Sequence, residues 1–139
     1  MRRAGRLAAD TLSSVGDLIL PGVTTQDIDD HVHRYIVSHD AVPAPLNYMG
    51  FPKSVCTSVN EVVCHGIPSP KKKLARGDII NVDVTVILAG WHGDTSATFY
   101  VDRPSASAVK VVETARRSLT LGIEAVRPGN RLGDIGTAI

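Results

Sequence analysis

Apolar and polar residues alternate along two adjoining runs of this chain. From Asp78 the sequence reads Asp-Ile-Ile-Asn-Val-Asp-Val-Thr-Val-Ile-Leu, and after Ala89-Gly90 it continues Trp-His-Gly-Asp-Thr-Ser-Ala-Thr-Phe-Tyr-Val. Ile80, Val82, Val84, Val86 and Leu88 share one parity, and Asn81, Asp83 and Thr85 the other. That is the period of a half-buried strand rich in β-branched residues. Ala89-Gly90 predicts a two-residue hairpin loop, with Gly90 free to take positive φ. If Leu88 faces Trp91, Asp83 lies opposite Ser96 and Asp94 becomes its diagonal neighbour, with Cα atoms about 7–8 Å apart. One face then carries Asn81, Asp83, Thr85, His92, Asp94, Ser96 and Thr98. The other carries the Ile80–Leu88 set with Trp91, Ala97, Phe99 and Val101. A loop one residue longer would flip the second strand and break this agreement.

Helical spacing appears on either side of the hairpin. Ala4, Leu7, Ala8, Leu12, Val15, Leu18 and Ile19 recur at three- and four-residue steps, predicting an amphipathic helix over residues 3–20 that Pro21-Gly22 ends. Thr24 or Thr25 caps a second helix, with Asp27 near its positive end and Ile28, Val32, Tyr35 and Ile36 as its buried stripe. His31, His33 and His39 do not form a zinc-binding HExxH pattern and are expected at the surface or the boundary. Residues 40–52 form a Pro- and Gly-containing loop with Tyr48, Met49 and Phe51, either anchored by its own aromatics or serving as a pocket wall. Lys53–Val59 is expected as a strand and Val62–Cys64 as another, which places His65 at a strand end. After Pro104, Ser105 or Ser107 caps a third helix with Val109, Val112, Ala115, Leu119 and Ile123 on one side, ended by Pro128-Gly129.

A shift of 107 residues aligns Ala8 with Ala115, Leu12 with Leu119, Pro21-Gly22 with Pro128-Gly129, and Asp27-Ile28 with Asp134-Ile135. The helix–Pro-Gly–helix opening therefore occurs twice, as a repeat architecture would produce. On that reading a second copy begins near the end of the chain, and the partner of the central hairpin is expected beyond Ile139.

Composition narrows the functional classes. The 139 residues suit one domain or part of one, and 43% hydrophobic residues suffice for a core. A net charge of +1 gives no nucleic-acid footprint, and Lys71-Lys72-Lys73 reads as a solvated loop. No apolar run approaches the roughly 18 residues of a membrane span. Met1-Arg2-Arg3-Ala4-Gly5-Arg6 resembles the start of a transit peptide, but Asp10 and the helical pattern oppose that reading. Two cysteines, Cys56 and Cys64, form neither a disulfide framework nor a paired zinc pattern, so a reducing compartment is the simplest expectation and packed thiols the simplest role. The chemistry therefore rests on Asp83 and Asp94. Aspartate is depleted inside strands, and two neighbouring carboxylates repel each other. One shared proton or a hard divalent cation between them would relieve this, and the alternative is simply a hydrated polar face of a half-exposed hairpin.

Four ordered blocks carry a family resemblance: Phe51-Pro52-Lys53-Ser54-Val55-Cys56-Thr57-Ser58-Val59-Asn60-Glu61, Cys64-His65-Gly66-Ile67-Pro68, Gly77-Asp78-Ile79-Ile80-Asn81-Val82-Asp83-Val84-Thr85 and His92-Gly93-Asp94-Thr95-Ser96. Together they resemble the type I methionine aminopeptidases over nearly the whole chain. The resemblance implies an α/β (α+β) pita-bread fold, an antiparallel sheet with covering helices built as two pseudo-symmetric halves, with residues 1–139 as the N-terminal half. It implies a dinuclear centre of two divalent ions (Co, Mn, Fe or Zn) in which Asp83 binds one metal and Asp94 bridges both. It makes His65 the histidine that contacts the substrate near the scissile bond, and Tyr48, Phe51 and Cys56 the lining of the methionine side-chain pocket. The implied activity is hydrolytic removal of the initiator methionine from nascent chains in the cytoplasm or an organelle, with the ribosome as a candidate partner and no membrane. The family's remaining ligands, one His and two Glu, lie in the second half and have no match here, and the first helix opens almost at Met1, so the start also reads as trimmed. An inactive half-domain acting as a binding or assembly module is the alternative, and a complementary C-terminal half would be its partner.

Overall fold

The computed structural model describes residues 1–139, which divide into two compact units, Met1–Pro104 and Ser105–Ile139. In the first unit, α1 (Arg2–Val15) and α2 (Thr25–Val37) precede four strands: β1 (Val42–Pro43), β2 (Cys56–Val59), β3 (Ile79–Leu88) and β4 (Trp91–Tyr100). All pairings are antiparallel and all involve β3. One edge of β3 takes β4 along its whole length; the other takes β2 against Ile80–Asp83 and β1 against Val86–Ile87.

The hairpin has the register its alternation dictates. Leu88 pairs with Trp91, Asp83 with Ser96 and Thr85 with Asp94, around a turn in which Ala89 and Gly90 both have positive φ, 49° and 79°. The apolar face lies under α1, which crosses β3 and β4. Ala8 and Val15 of α1 and Ile80, Val82, Val84 and Val86 of β3 are fully buried, joined there by Ile28, Val32 and Ile36 of α2. At the crossing α1 and β4 touch backbone to backbone: a Cβ added at Gly93 would sit 2.2 Å from the Ala4 carbonyl oxygen. Only glycine permits so close an approach.

Thr24 caps α2 through a reciprocal box. Its hydroxyl accepts from Asp27 N, while Asp27 Oδ2 accepts from Thr24 N at 2.8 Å. These bonds to Thr24 hold the Asp27 carboxyl below its ordinary value.

Two expected elements differ. The strand expected over Lys53–Val59 starts only at Cys56. Val62–Cys64 is no strand: after Val59 the chain turns, with Val62 N donating to Val59 O at 3.1 Å, and Val63 is left 94% exposed. Three apolar residues without a free ladder beside them gain nothing from extended pairing.

The second unit consists of α3 (Ala106–Glu124) and α4 (Leu132–Ala138), packed where Gly122 lets the Ile139 side chain come close. Ser105 Oγ caps α3 by accepting from Ala108 N at 3.2 Å. Of the apolar side expected on α3, only Val112 is buried; Leu119 and Ile123 are 62% and 64% exposed. Two helices offer too little surface to cover that stripe. No helix in the chain is long and apolar enough to cross a membrane.

Candidate active site

The polar face of the hairpin forms one wall of a pocket of about 790 Å³ in the first unit. Asp83, Thr85, His92 and Asp94 line it from β3 and β4, Cys56 from β2, and Tyr48, Met49, Phe51 and Pro52 from the loop before β2. His65 and Ile67 close another side. The structure thus gathers every residue singled out in the sequence, namely Tyr48, Phe51, Cys56, His65, Asp83 and Asp94, around one cavity. Its lining combines apolar side chains with two carboxylates.

Each position has a local cause. Cys56 pairs directly with Asp83 across β2 and β3, so both point to the polar side. His65 has a φ of 53°, a left-handed conformation that a β-carbon makes unfavourable. Its neighbour holds it there: Gly66 O accepts from Thr57 N at 2.8 Å, and Gly66 N donates to Ser58 Oγ at 3.1 Å. A Cβ at Gly66 would lie 2.1 Å from Thr57 O, so the glycine lets the loop lie against β2 and presents His65 to the pocket. Tyr48 lies in a tight loop where Asn47 and Met49 also take positive φ, and its ring is largely exposed at the rim.

A network that the sequence reading did not find fixes the loop before β2. Asp29 of α2 is buried, and its Oδ1 accepts from Ser54 N at 2.7 Å. His33 Nδ1 and Ser54 Oγ share a hydrogen bond of 2.8 Å. Lys53 Nζ lies 3.9 Å from Asp29 Oδ2 and donates to Gln26 Oε1. Gln26, Asp29 and His33 recur at helical spacing beside the apolar stripe of α2, and that spacing was the available signal. His33 is half-buried, at the boundary as expected.

The carboxylate pair carries the electrostatic strain. Burial pushes the Asp83 carboxyl above its ordinary value, and the neighbouring Asp94 charge and a hydrogen bond with Asp94 push it further, while His65 pulls it down. The Cys56 thiol is pushed up to about 11, chiefly by burial and then by the Asp83 charge. At neutral pH it is a packed thiol rather than a nucleophile.

The full-length match to the model of metallopeptidase family M24, over residues 1–139, decides the family. The chain belongs to metallopeptidase family M24. It is 55% identical over 139 residues to the methionine aminopeptidase of Rickettsia prowazekii and 54% identical to methionine aminopeptidase A of a Synechocystis strain. All of this chain aligns, against 53% and 55% of those proteins, so the chain spans about half the length of these relatives. The crystal structure of the R. prowazekii methionine aminopeptidase superposes with a TM-score of 0.96 at 54% identity, over 99% of this chain and 55% of that one. The Thermotoga maritima methionine aminopeptidase does so with 0.96 at 34%, over 100% and 56%. The fold is accordingly half of the pita-bread α/β architecture that M24 enzymes share.

Membership of a metallopeptidase family implies a divalent metal. Asp83 and Asp94 suit one: they are hard oxygen donors, hydrogen-bonded side by side, and the burial and the Asp94 repulsion that together raise the Asp83 carboxyl are what a cation would offset. Two carboxylates completed by waters are a sufficient grip for a hydrated hard cation. They are not a closed cage, since no three His, Cys, Asp or Glu side chains of the chain converge to hold an ion.

Proposed function

We propose that this chain carries the substrate pocket and two of the metal ligands of a methionine aminopeptidase that removes the initiator methionine from nascent chains. The observation that carries the reading is the pocket itself: one lining combines the paired carboxylates, apolar side chains, and a His65 close enough to Asp83 to draw its carboxyl down. Asp83 and Asp94 would hold two divalent ions together with donors from outside these residues, one His and two Glu by family resemblance. When bound, the ions supply Lewis-acid polarisation of the scissile amide and a water acidic enough to attack near neutral pH. Phe51, Cys56 and Tyr48 surround the unbranched thioether side chain, where one methylene distinguishes substrates by about 1–3 kcal/mol. His65 hydrogen-bonds the substrate beside the bond to be cut. A ribosomal partner and a complementary C-terminal segment belong to the same proposal, as does a cytoplasmic setting.

A second reading, a half-domain that binds without catalysing, is favoured by one observation: only two acidic donors meet at the site. Titrating the chain with Mn²⁺ or Co²⁺ while assaying methionine release from a Met-Gly peptide separates the two. Saturable cation binding that Asp94→Ala abolishes supports the site, and metal-dependent release lost in the same variant removes the second reading. Absence of any Asp94-dependent binding overturns the proposal.

A further inference from the structure

The geometry points to Thr85 as a positioning residue that fixes the Asp94 carboxylate for cation binding. The inference rests on the reading of Asp94 as a metal ligand. Thr85 and Asp94 are direct partners in the β3–β4 register, and Thr85 Oγ1 donates to Asp94 Oδ1 at 3.1 Å. Both side chains face the pocket. Asp94 is exposed on the strand face, and its carboxylate has Thr85 and Asp83 beside it. Without the Thr85 bond it would rotate more freely, and more of its ordering would fall on the cation.

Two features make Thr85 suited to this task. It is β-branched, so few χ1 rotamers are open to it in a strand, and its hydroxyl is aimed by the backbone rather than by solvent. Its bond also occupies a lone pair of Oδ1, while Asp83 contacts the carboxylate from the neighbouring rung. Held from two sides, Asp94 presents its remaining lone pairs in one orientation. The same face shows a comparable rung without acid, where Asn81 Nδ2 donates to Thr98 Oγ1 at 3.2 Å. Cross-strand polar pairs thus set side-chain directions along this ladder. Groups that orient a metal ligand from behind commonly account for about 10–100-fold in metal affinity.

Calorimetric titration of Mn²⁺ into the parent chain, Thr85→Val, Thr85→Ala, Thr85→Ser and Asp94→Asn tests the inference, with thermal melting of each metal-free variant alongside. Valine keeps the shape and removes the donor; alanine serves if valine fails to fold. The expected result is a loss of about tenfold or more in Mn²⁺ affinity for Thr85→Val or Thr85→Ala. Thr85→Ser, which restores the hydroxyl, should return close to the parent, and metal-free melting should not follow the same order. A merely structural role would instead move melting and leave the affinity of folded protein unchanged, which overturns the inference. Parent-like affinity in Thr85→Val with binding lost in Asp94→Asn also overturns it while leaving the site intact. Parent-like binding in Asp94→Asn removes the reading on which it rests.

Discussion

Gly93→Ala is expected to destabilise the chain although it adds a single methyl group. Gly93 does not take positive φ, so conformational strain is not the issue; space is. The new Cβ would lie 2.2 Å from Ala4 O, 2.3 Å from Ala4 C and 2.6 Å from Gly5 N, all of them backbone atoms of α1. Close carbon–oxygen contacts settle at about 3.3–3.6 Å, so α1 and β4 must separate by about 1 Å. A helix backbone cannot swing aside as a side chain can. The whole crossing opens, and Leu7, Ala8 and Leu12 lose contact with the sheet. Overpacking of this kind costs about 1–3 kcal/mol, against a total stability of about 5–15 kcal/mol for a typical domain. With a urea dependence of about 1–3 kcal/mol/M, the midpoint should fall by roughly 1 M. Gly5→Ala is the control. It lies in the same helix with nothing within 4 Å of an added Cβ, and the gain in helix propensity should stabilise by about 0.5–1 kcal/mol. Two Gly→Ala changes at one crossing should therefore have opposite signs. A urea midpoint for Gly93→Ala at or above the parent's would refute the reasoning.

Asp29→Ala should cost about 1–3 kcal/mol, because it strands the buried Ser54 N–H, whereas Asp29→Asn keeps an acceptor and should lose less. Equal denaturation midpoints for the two variants would show that the bond to Ser54 contributes nothing. For Asp83, burial and the Asp94 charge raise the folded carboxyl above 3.8, so the folded state binds its proton more tightly than the unfolded chain. The metal-free chain should therefore lose stability as pH rises from about the unfolded value through the folded one, and the penalty then stays constant. Asp83→Asn should flatten that slope and melt higher than the parent at pH 7; an unchanged slope between pH 4 and 7 would count against the electrostatic account.

The sheet was legible because its pattern over-determines it. Alternation from Ile80 to Leu88 and from Trp91 to Val101 agrees on one apolar side only if the loop is Ala89-Gly90, and β3 and β4 adopt that register. The same count makes Asp94 the diagonal neighbour of Asp83, with Asp83 opposite Ser96 and Asp94 opposite Thr85. The failures lie where a local pattern depends on distant partners. Val62-Val63-Cys64 has strand composition, but the edge of β2 is instead met by Gly66, which donates to Ser58 Oγ and accepts from Thr57 N. Asp29 reads as one more helix-surface carboxylate, because its burial is created by Lys53 and Ser54, more than twenty residues away. The pocket joins both cases: its residues were legible as motifs, but the clamp on α2 that holds the loop before β2 was not.

The echo between the two Pro-Gly turns has a structural counterpart. Gly22 and Gly129 have φ of 93° and 92°, and each precedes a helix whose third residue is an aspartate. Asp27 Oδ2 accepts from Thr24 N at 2.8 Å, and Asp134 Oδ2 accepts from Arg131 N at 2.7 Å. The reciprocal bond exists only at the first copy, since threonine offers an acceptor and arginine has none. So the backbone of the Pro-Gly turn and helix start is preserved where the capping side chain is not, which is how shared architecture differs from a chance match of residues. In the first copy the helix pair leads to a hairpin, and the hairpin carries the chemistry. α3 and α4 repeat that helix pair around the Pro128-Gly129 turn. The exposed Leu119 and Ile123 lie on the helix that answers to α1, and the apolar stripe of α1 is covered by β3 and β4.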